Sequence, residues 1–325
     1  MKNFRLVSSR LALGVAVAWF ATLDCQASIW HPGWHLVWHD EFNKDGPPDP
    51  ANWSYEHGFV RNHELQWYQP DNAWCTNGML ILEARPEHRP NPMFRTNAMS
   101  WARQRQWIDY TSASINSRRK QQFLYGKFEM RARIDIRSGS WPAFWTLGSD
   151  ASRLGWPACG EVDIMEFYAG NVLANFGYGL DDKTKWSAVR KPVAALGGEK
   201  WARRFHIWTM NWDTNKMELL LDGKLMNRLD LASADNADGG NPFRRPQYLL
   251  LDLAIGSNGG DPSHTQFPIR FEIDWVRVYQ RGSPPAQSRA LSINRVWPTK
   301  TASAMCMPVL TRDTACKVSG SKNST

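Results

Sequence analysis

The chain has 325 residues and a formal net charge of +8 at neutral pH, and its two ends hold this charge. Residues 1–27 carry three basic and one acidic side chain, and residues 281–325 carry seven basic and one acidic, which leaves residues 28–280 with no net charge. Nucleic-acid binding needs a basic surface on the folded domain. The charge distribution therefore argues against a nucleic-acid partner and disfavours a sulfated glycan.

The N-terminal segment has the order of a secretory signal peptide. Three basic residues precede an apolar run at residues 11–23, and small residues follow near Ala27. We predict a signal peptide over residues 1–27 and a secreted or periplasmic mature protein. The run is shorter than the roughly 20 residues of a membrane helix, so no membrane span is predicted. Cys25 raises the alternative of a lipid-modified N-terminus, which the acidic residue before it argues against.

Residues 28–280 form one predicted domain that is rich in β-strands. Short alternating runs are separated by turn signals such as Asp222-Gly223, and helical periodicity is nearly absent. The runs lie at residues 80–83, 128–134, 206–212, 218–221, 248–254 and 271–279. About 250 residues is an ordinary length for one all-β sandwich. The pattern predicts an antiparallel two-sheet sandwich or jelly roll.

Tryptophan is unusually abundant, with 18 residues in the chain. Trp141, Trp145 and Trp156 lie in loops rich in glycine and proline that lead into an acidic run. A flat indole ring stacks on the axial C–H face of a pyranose and suits positions that are half apolar and half wet. We interpret these three residues as candidate sugar-binding residues and most other tryptophans as core.

Bound sugars also need polar groups that hold their hydroxyls in place. Four such side chains lie on predicted strands that flank this region: Asn62, Glu64, Gln66 and Arg85. We predict that they bind substrate together with the tryptophans.

The acidic run reads Glu161-Val-Asp163-Ile-Met-Glu166 and places three carboxylates in one short strand. A strand alternates its side chains between two faces, so strict alternation would separate Glu166 from Glu161 and Asp163. One extra residue at Ile164-Met165 would form a β-bulge and return Glu166 to the carboxylate face. A solvent-facing acidic strand is the alternative, and the neighbouring tryptophans favour a site.

With this bulge, the two glutamates have the spacing of a retaining glycosidase. Four effective steps of about 3.3 Å put the Cα atoms of Glu161 and Glu166 roughly 13 Å apart. Each side chain reaches about 3.5–4 Å inward, leaving roughly 5–6 Å between carboxyl groups, against about 5–5.5 Å in retaining and about 6.5–9.5 Å in inverting enzymes. The run therefore predicts hydrolysis with retention of configuration.

The acidic run and the preceding Trp-Pro-Ala-Phe-Trp resemble glycoside hydrolase family 16, the laminarinase, lichenase and agarase group. Further blocks resemble the family in its own order, at residues 36–42, 62–68, 78–85, 125–133 and 271–279. The extra Met165 is similar to the bulged branch of laminarinases, agarases and carrageenases. The resemblance implies a jelly roll in which the acidic strand forms the floor of a long substrate cleft on a concave face.

The resemblance also implies a role for each carboxylate. Glu161 resembles the nucleophile that forms a covalent glycosyl-enzyme, and Glu166 resembles the acid/base that protonates the leaving oxygen and then deprotonates water. Asp163 is expected to hydrogen-bond the nucleophile and to tune the coupled titration of the pair. No cofactor is expected for catalysis.

One segment departs from the family. Many laminarinases carry a cleft-facing histidine on the strand after the catalytic one, whereas residues 171–179 contain none. Asn175 or Tyr178 is expected to take its place. The departure leaves the identity of the β-glycan open.

A structural calcium ion is a further expectation from the resemblance. Glu41 and Asp274 match positions that can hold calcium in the family, and oxygen ligands suit a hard cation. The alternative is that both are surface or hydrogen-bonding carboxylates.

The cysteines leave two alternatives open in the domain. Cys75 and Cys159 pair, as an exported protein permits, or Cys159 is a free buried thiol. No metal-ligand spacing of cysteine and histidine is present. The composition of residues 281–325 predicts a disordered basic tail. Cys306 and Cys316 could pair within it.

Three functions compete at this stage. The leading one is a secreted, monomeric, retaining endo-β-glycosidase that acts on a polysaccharide, a β-1,3 or mixed β-1,3-1,4 glucan. A galactan hydrolase or a transglycosylase on the same scaffold is the alternative. A non-catalytic glycan-binding domain ranks below both, because both catalytic glutamates are present.

Overall fold

The structure, a computed structural model, describes residues 33–179, 184–236 and 238–282. The predicted signal peptide and the tail beyond residue 282 lie outside these residues. The strands, in chain order, are β1 Trp34–Asp40, β2 Ser54–Tyr55, β3 Gln66–Tyr68, β4 Ala73–Thr76, β5 Met79–Pro90, β6 Trp107–Ser112, β7 Ser114–Asn116, β8 Gly126–Arg133, β9 Ser140–Gly148, β10 Glu161–Tyr168, β11 Asn171–Tyr178, β12 Lys185–Pro192, β13 His206–Trp212, β14 Lys216–Leu221, β15 Lys224–Asp230, β16 Gln247–Ile255 and β17 Ile269–Arg281.

Helices are short and few in the described part of the chain. Four α-helices of one turn each lie at Trp101–Gln104, Ala151–Leu154, Val193–Leu196 and Gly198–Ala202. Four short 3₁₀ segments lie at Pro70–Asn72, Leu231–Ala234, Pro242–Arg244 and Ser257–Gly259. None of the helices within residues 33–179, 184–236 and 238–282 has the length and apolar character needed to cross a membrane.

The strands form two large sheets. A ten-stranded sheet has the order β15-β14-β13-β8-β17-β5-β6-β3, with β1 added to β17 and β4 added to β5. A seven-stranded sheet has the order β12-β11-β10-β9-β16-β7-β2. The pairings are antiparallel apart from the short pair of β3 and β6. The predicted all-β jelly-roll sandwich is confirmed.

The core lies between the two sheets and is built by alternate residues of their strands. Phe128 and Met130 of β8 and Phe271 of β17 are fully buried on one side. Val162 of β10 and Phe176 of β11 are fully buried on the other. Burial of each such large side chain contributes about 1.5–3 kcal/mol, so the sandwich fixes which face of β10 points inward.

The predicted strand runs are present, and most of them lie within longer strands. The run at residues 206–212 is β13 itself, and the run at residues 271–279 lies inside β17. One prediction was wrong: residues 140–148, read as a loop, form the central strand β9. Because both neighbours of β9 pair with it, its proline and glycine do not prevent strand formation. The misreading arose because a strand buried on both faces shows no alternation.

Candidate active site

Strand β10 contains the predicted bulge. Its pairing with β11 goes from Asp163 opposite Asn175 to Glu166 opposite Leu173, so β10 advances three residues while β11 advances two. The pairing with β9 shifts at the same place. One extra residue re-aims everything that follows it. The predicted bulge at residues 164–165 is therefore confirmed.

The bulge sorts the side chains of β10 between two faces. Four apolar residues belong to the buried core: Val162, Ile164, Met165 and Phe167. Glu161, Asp163 and Glu166 lie on the opposite side of the sheet, which we call the acidic face. Asp163 is buried there and the two glutamates are half-buried. The sequence-based assignment of three carboxylates to one face is correct.

Two tryptophans hold the glutamates by hydrogen bonds. Trp141 Nε1 donates to Glu166 Oε1 at 2.8 Å, and Trp156 Nε1 donates to Glu161 Oε2 at 2.8 Å. Trp141 is buried on β9, whereas the Trp156 side chain is 50% exposed. Each glutamate thus has an indole donor of its own. The sequence predicts that these two residues stack on sugar. The structure shows in addition that their indole N–H groups hydrogen-bond the glutamates.

Asn175 completes the carboxylate cluster from the next strand. Its Nδ2 donates to Asp163 Oδ2 and to Glu166 Oε2, each at 3.0 Å. Asp163 lies close enough to both glutamates to share a hydrogen bond with either when one carboxyl of the pair is protonated. Tyr178, the other residue suggested for this role, instead packs in the core against Phe243. Of the two candidates, the structure brings only Asn175 to the carboxylates.

The pKa values of Glu161, Asp163 and Glu166 are all raised above their ordinary values. Burial, followed by the charge of Glu166, raises the pKa of Glu161 to about 7. Burial and the charges of both glutamates raise the pKa of Asp163 well above its ordinary value. Burial also raises the pKa of Glu166, although the hydrogen bond from Trp141 opposes this rise. Three carboxyls in one half-buried place cannot all be charged, so the cluster retains a proton near neutral pH.

A second buried carboxylate, Asp252 of β16, lies beside the cluster. Ala143 of β9 is paired with Glu166 on one side and with Asp252 on the other. Trp145 Nε1 donates to Asp252 Oδ1 at 2.6 Å, and the Tyr68 hydroxyl donates to Oδ2 at 3.0 Å. Burial raises the pKa of Asp252 to about 6. The sequence analysis missed this residue, although a single acid within the apolar run of residues 249–255 was a signal for it.

Arg61, which the sequence analysis also missed, lies over the rings of Trp145 and Tyr68, the two residues that donate to Asp252. Its guanidinium forms an ion pair with Glu56 and lies 5.1 Å from the centre of the Trp145 ring. Trp145 is only 7% exposed as a result of such contacts. Its predicted role as a stacking residue stays a prediction, because Asp252 holds its ring edge and Arg61 covers one side.

The predicted polar residues divide between two places. Glu64 is buried and accepts hydrogen bonds from Gln66 Nε2 at 2.6 Å and from Asn62 Nδ2 at 3.2 Å. Burial raises the pKa of Glu64 to about 7. Its Oε2 also lies 3.4 Å from the hydroxyl of Tyr68, which links this group to Asp252. Glu64 is therefore connected to the acidic face, and Asn62 and Gln66 hold Glu64 in place.

Arg85 does not join them, and its assignment to the site is corrected here. On β5, Leu82 and Ala84 face the core, so Glu83 and Arg85 face outward on the ten-stranded sheet. Arg85 is paired there with Glu83 at 2.6 Å and stacks on Trp74. Alternation predicted its strand but not the sheet to which the strand belongs.

The two carboxylates proposed for calcium are each paired with an arginine. Both oxygens of Glu41 accept from Arg277 at 2.8 Å, and Asp274 is paired with Arg131. Within residues 33–179, 184–236 and 238–282, no group of three or more acidic, histidine or cysteine side chains forms a metal-binding cluster. These residues as arranged do not fit a calcium site, and calcium stays a prediction from the resemblance alone.

The cysteines of the domain are unpaired. Cys75 and Cys159 are both free and buried. Burial raises the pKa of each thiol to about 12, which keeps both protonated and unreactive. Of the two alternatives, the free buried thiol is correct.

Comparisons with known proteins agree with this geometry. The sequence profile of the glycosyl hydrolases family 16 matches residues 61–277. A β-glucanase of Rhodothermus marinus is 33% identical over 273 residues, which cover 77% of this chain and 86% of the relative. The catalytic domain of an endo-1,3-β-glucanase (laminarinase) from Thermotoga petrophila has a TM-score of 0.66 at 32% identity, covering 77% of this chain and 99% of its own.

A further solved structure was described with endo-acting O-glycanases that initiate mucin breakdown in the human gut microbiota. It has a TM-score of 0.70 at 32% identity and covers 77% of this chain and 91% of its own. Family profile, relatives and structures all align with the domain that contains the bulged acidic strand. The chain belongs to glycosyl hydrolases family 16 and is a glycoside hydrolase.

Proposed function

We propose that this protein is a retaining endo-β-glucanase that cleaves β-1,3 or mixed β-1,3-1,4 glucan. One observation carries the mechanism: the bulge in β10 puts Glu161, Asp163 and Glu166 on one face, with a separate indole donor on each glutamate. The substrate class is supported by the relatives, which include a β-glucanase and a laminarinase.

In the first step, Glu161 attacks the anomeric carbon while Glu166 protonates the leaving oxygen. A bond forms between the carboxylate of Glu161 and the sugar, and the glycosidic bond breaks. Trp156 fixes one oxygen of the nucleophile, while Trp141 and Asn175 each hold one oxygen of Glu166. These bonds set the orientation of both carboxyl planes before substrate binds.

In the second step, Glu166 takes a proton from water, the water attacks the anomeric carbon, and the ester bond to Glu161 breaks. Asp163 lies between the two groups and can share a hydrogen bond with either. A proton retained by Asp163 would stabilise the carboxylate of Glu161 when it leaves. The configuration at the anomeric carbon is thus inverted twice and retained overall.

Stereochemistry and substrate can be tested together. The wild-type enzyme should release reducing sugar from laminarin or lichenan, and proton NMR should show the β-anomer in the earliest product. Glu161→Ala should lose turnover and yield an α-glycosyl azide with azide, whereas Glu166→Ala should keep activity on substrates with good leaving groups. An initial α-anomer would overturn the role assignment.

A galactan or mucin-type substrate is the competing outcome. One structural neighbour was described with mucin O-glycanases, and the same carboxylates would serve a transglycosylase. Agarose, carrageenan and mucin glycans therefore belong in the same panel. If the enzyme releases sugar from one of these glycans and none from laminarin or lichenan, the proposed substrate changes from glucan to that glycan. The proposed mechanism is unaffected by that result.

The proposal includes export and action as a monomer. Polysaccharides do not cross membranes intact, and the N-terminal sequence has the order of a signal peptide. Fractionation of cells that express the full chain should place the protein in the medium or the periplasm, with residues 1–27 removed. Light scattering of the purified protein should give the mass of one chain.

A further inference from the structure

Strand β12 extends the acidic face beyond the catalytic strand. Through β11, Trp186 lies in one row with Gly177 and Glu161, because Gly177 pairs with both. In the same way, Arg190 lies in one row with Leu173 and Glu166. The outer edge of the face therefore has one residue aligned with each glutamate.

The residue between them is small. Ala188 pairs with Asn175, which pairs with Asp163. Trp186, Ala188 and Arg190 are all exposed, while Ser187, Val189 and Lys191 are half-buried. Trp186 and Arg190 are four residues apart, which puts their Cα atoms about 13 Å from each other. The edge strand thus forms two walls with an open floor between them.

The Trp186 wall presents a flat aromatic surface. An added Cβ on Gly177 would lie 2.8 Å from the Trp186 ring, so the indole rests directly on the backbone of β11. The ring is 48% exposed and lies 6.3 Å from that of Trp156, which binds Glu161. Two half-exposed indole rings therefore lie beside the nucleophile. Stacking of the apolar face of a pyranose on such a ring would be more favourable than leaving the ring in water.

The Arg190 wall presents hydrogen-bond donors. Its guanidinium lies 5.6 Å from the centre of the Tyr168 ring, with Nη2 at 3.5 Å from the Tyr168 hydroxyl. Tyr168 in turn contacts Trp141 edge-to-face. A guanidinium carries five N–H donors, and this contact uses one of them. The remaining donors can serve the hydroxyls of a sugar between the walls.

The opposite side of the catalytic strand differs in shape. There the acidic face is lined by Trp145, Tyr248 and Leu250, all buried, with Arg61 over Trp145. Such a closed wall, with the Arg61 guanidinium over its Trp145 ring, suits the sugar whose anomeric carbon reacts and which must be held in one orientation. The open edge at β12 suits a sugar that arrives and departs.

We propose that Trp186, Ala188 and Arg190 form a leaving-group subsite that binds the pyranose released in the first step by stacking it on Trp186. This inference rests on the proposed function. The same subsite would bind a sugar acceptor in the second step. The acceptor hydroxyl then attacks the anomeric carbon in place of water, Glu166 takes its proton, and the bond to Glu161 breaks.

The test compares two substrates that differ only in the leaving group. A laminari-oligosaccharide fills the subsite with sugar, whereas laminaribiosyl β-fluoride releases fluoride and leaves it empty. Loss of one aromatic stacking contact should lower kcat/KM of Trp186→Ala on the oligosaccharide about tenfold. Turnover of the fluoride should stay within about twofold of wild type, and the ratio of transfer to hydrolysis should fall. Trp186→Tyr keeps a flat ring and should recover most of the loss.

Trp107→Ala is the matched control, because Trp107 is 40% exposed and stacks on His88 in the other sheet. Trp107→Ala should leave kcat/KM unchanged on both substrates. The melting temperatures of all variants should match that of the wild type. An equal loss on both substrates would place Trp186 on the donor side and overturn the proposal, as would no loss on either. If wild type cleaves neither substrate, the glucanase proposal itself fails, whatever the variants do.

Discussion

The two indole hydrogen bonds make a paired prediction about the pH profile. Trp141→Phe removes the donor to Glu166 Oε1, and Trp156→Phe removes the donor to Glu161 Oε2. Each bond favours the charged form of its glutamate, so each substitution should raise the pKa of that glutamate. The consequence differs, because the acid/base must be protonated in the first step while the nucleophile must be ionised.

The size of each shift follows from burial. A hydrogen bond to a charged group contributes about 1.5–3 kcal/mol, and one pKa unit corresponds to about 1.4 kcal/mol. Trp141 is 7% exposed, and Asn175 still donates to Glu166 after the change. We expect the alkaline limb of Trp141→Phe to move up by about one unit. Trp156 is half-exposed, so water replaces its donor and the acidic limb should move up by less than about half a unit.

The assay is kcat/KM against pH from 4 to 10 on one soluble glucan oligosaccharide. The shape of the profile, rather than its height, is the readout, since loss of an indole also changes sugar binding. Trp107→Phe serves as the control and should leave both limbs in place. The limbs report the coupled carboxyl cluster, and the prediction concerns which limb each variant moves.

If Trp141→Phe shifts the acidic limb instead, Glu166 is the nucleophile and Glu161 the acid/base, the reverse of the proposed roles. Movement of the same limb by both variants would show that the cluster titrates as one group, with no separate role for each indole. Either result would refute the assignment that rests on the bulge geometry.

Three further predictions concern charge and packing. Asp252→Asn removes a buried charge that raises the pKa of Glu166, so the alkaline limb should move to lower pH. Phe128→Ala empties a fully buried core position and should lower the free energy of unfolding by about 3–5 kcal/mol in urea titrations. Glu161, Glu64 and Asp252 have pKa values of about 7, 7 and 6 in the fold, above those of the unfolded chain. The folded state therefore holds protons that the unfolded state has lost, and the melting temperature should fall from pH 5 to pH 8. The fall should be smaller in Glu161→Gln, and a Glu161→Gln curve parallel to wild type would contradict this.

Local geometry explains why part of the site could be read from the sequence. Side chains on a strand alternate with a period of two. Strict alternation over residues 161–166 would put Glu166 on the apolar face, and one extra residue in a bulge returns it to the face of Glu161 and Asp163. The bulge is at the predicted place. The same alternation located β13 and β17, because each has one face on the core.

Alternation does not say which sheet a strand enters. Arg85 fitted the pattern of a polar residue on a strand, and the structure places it on the outer face of the ten-stranded sheet. Strand β9 was read as a loop, because a strand buried on both faces has no alternation to show. These errors have one cause: burial on a face depends on the partner sheet rather than on neighbouring residues.

The sequence by itself determined the all-β class, the bulged strand and the carboxylates Glu161, Asp163 and Glu166, because these depend on contacts between near neighbours in the chain. Only the tertiary structure decided that Tyr68, 184 residues away along the chain, donates to Asp252 beside this strand. It also decided that Trp186 lies on Gly177 in the row of the nucleophile. Such contacts are set by the register of paired strands, and that register is fixed when the two sheets pack around a common core.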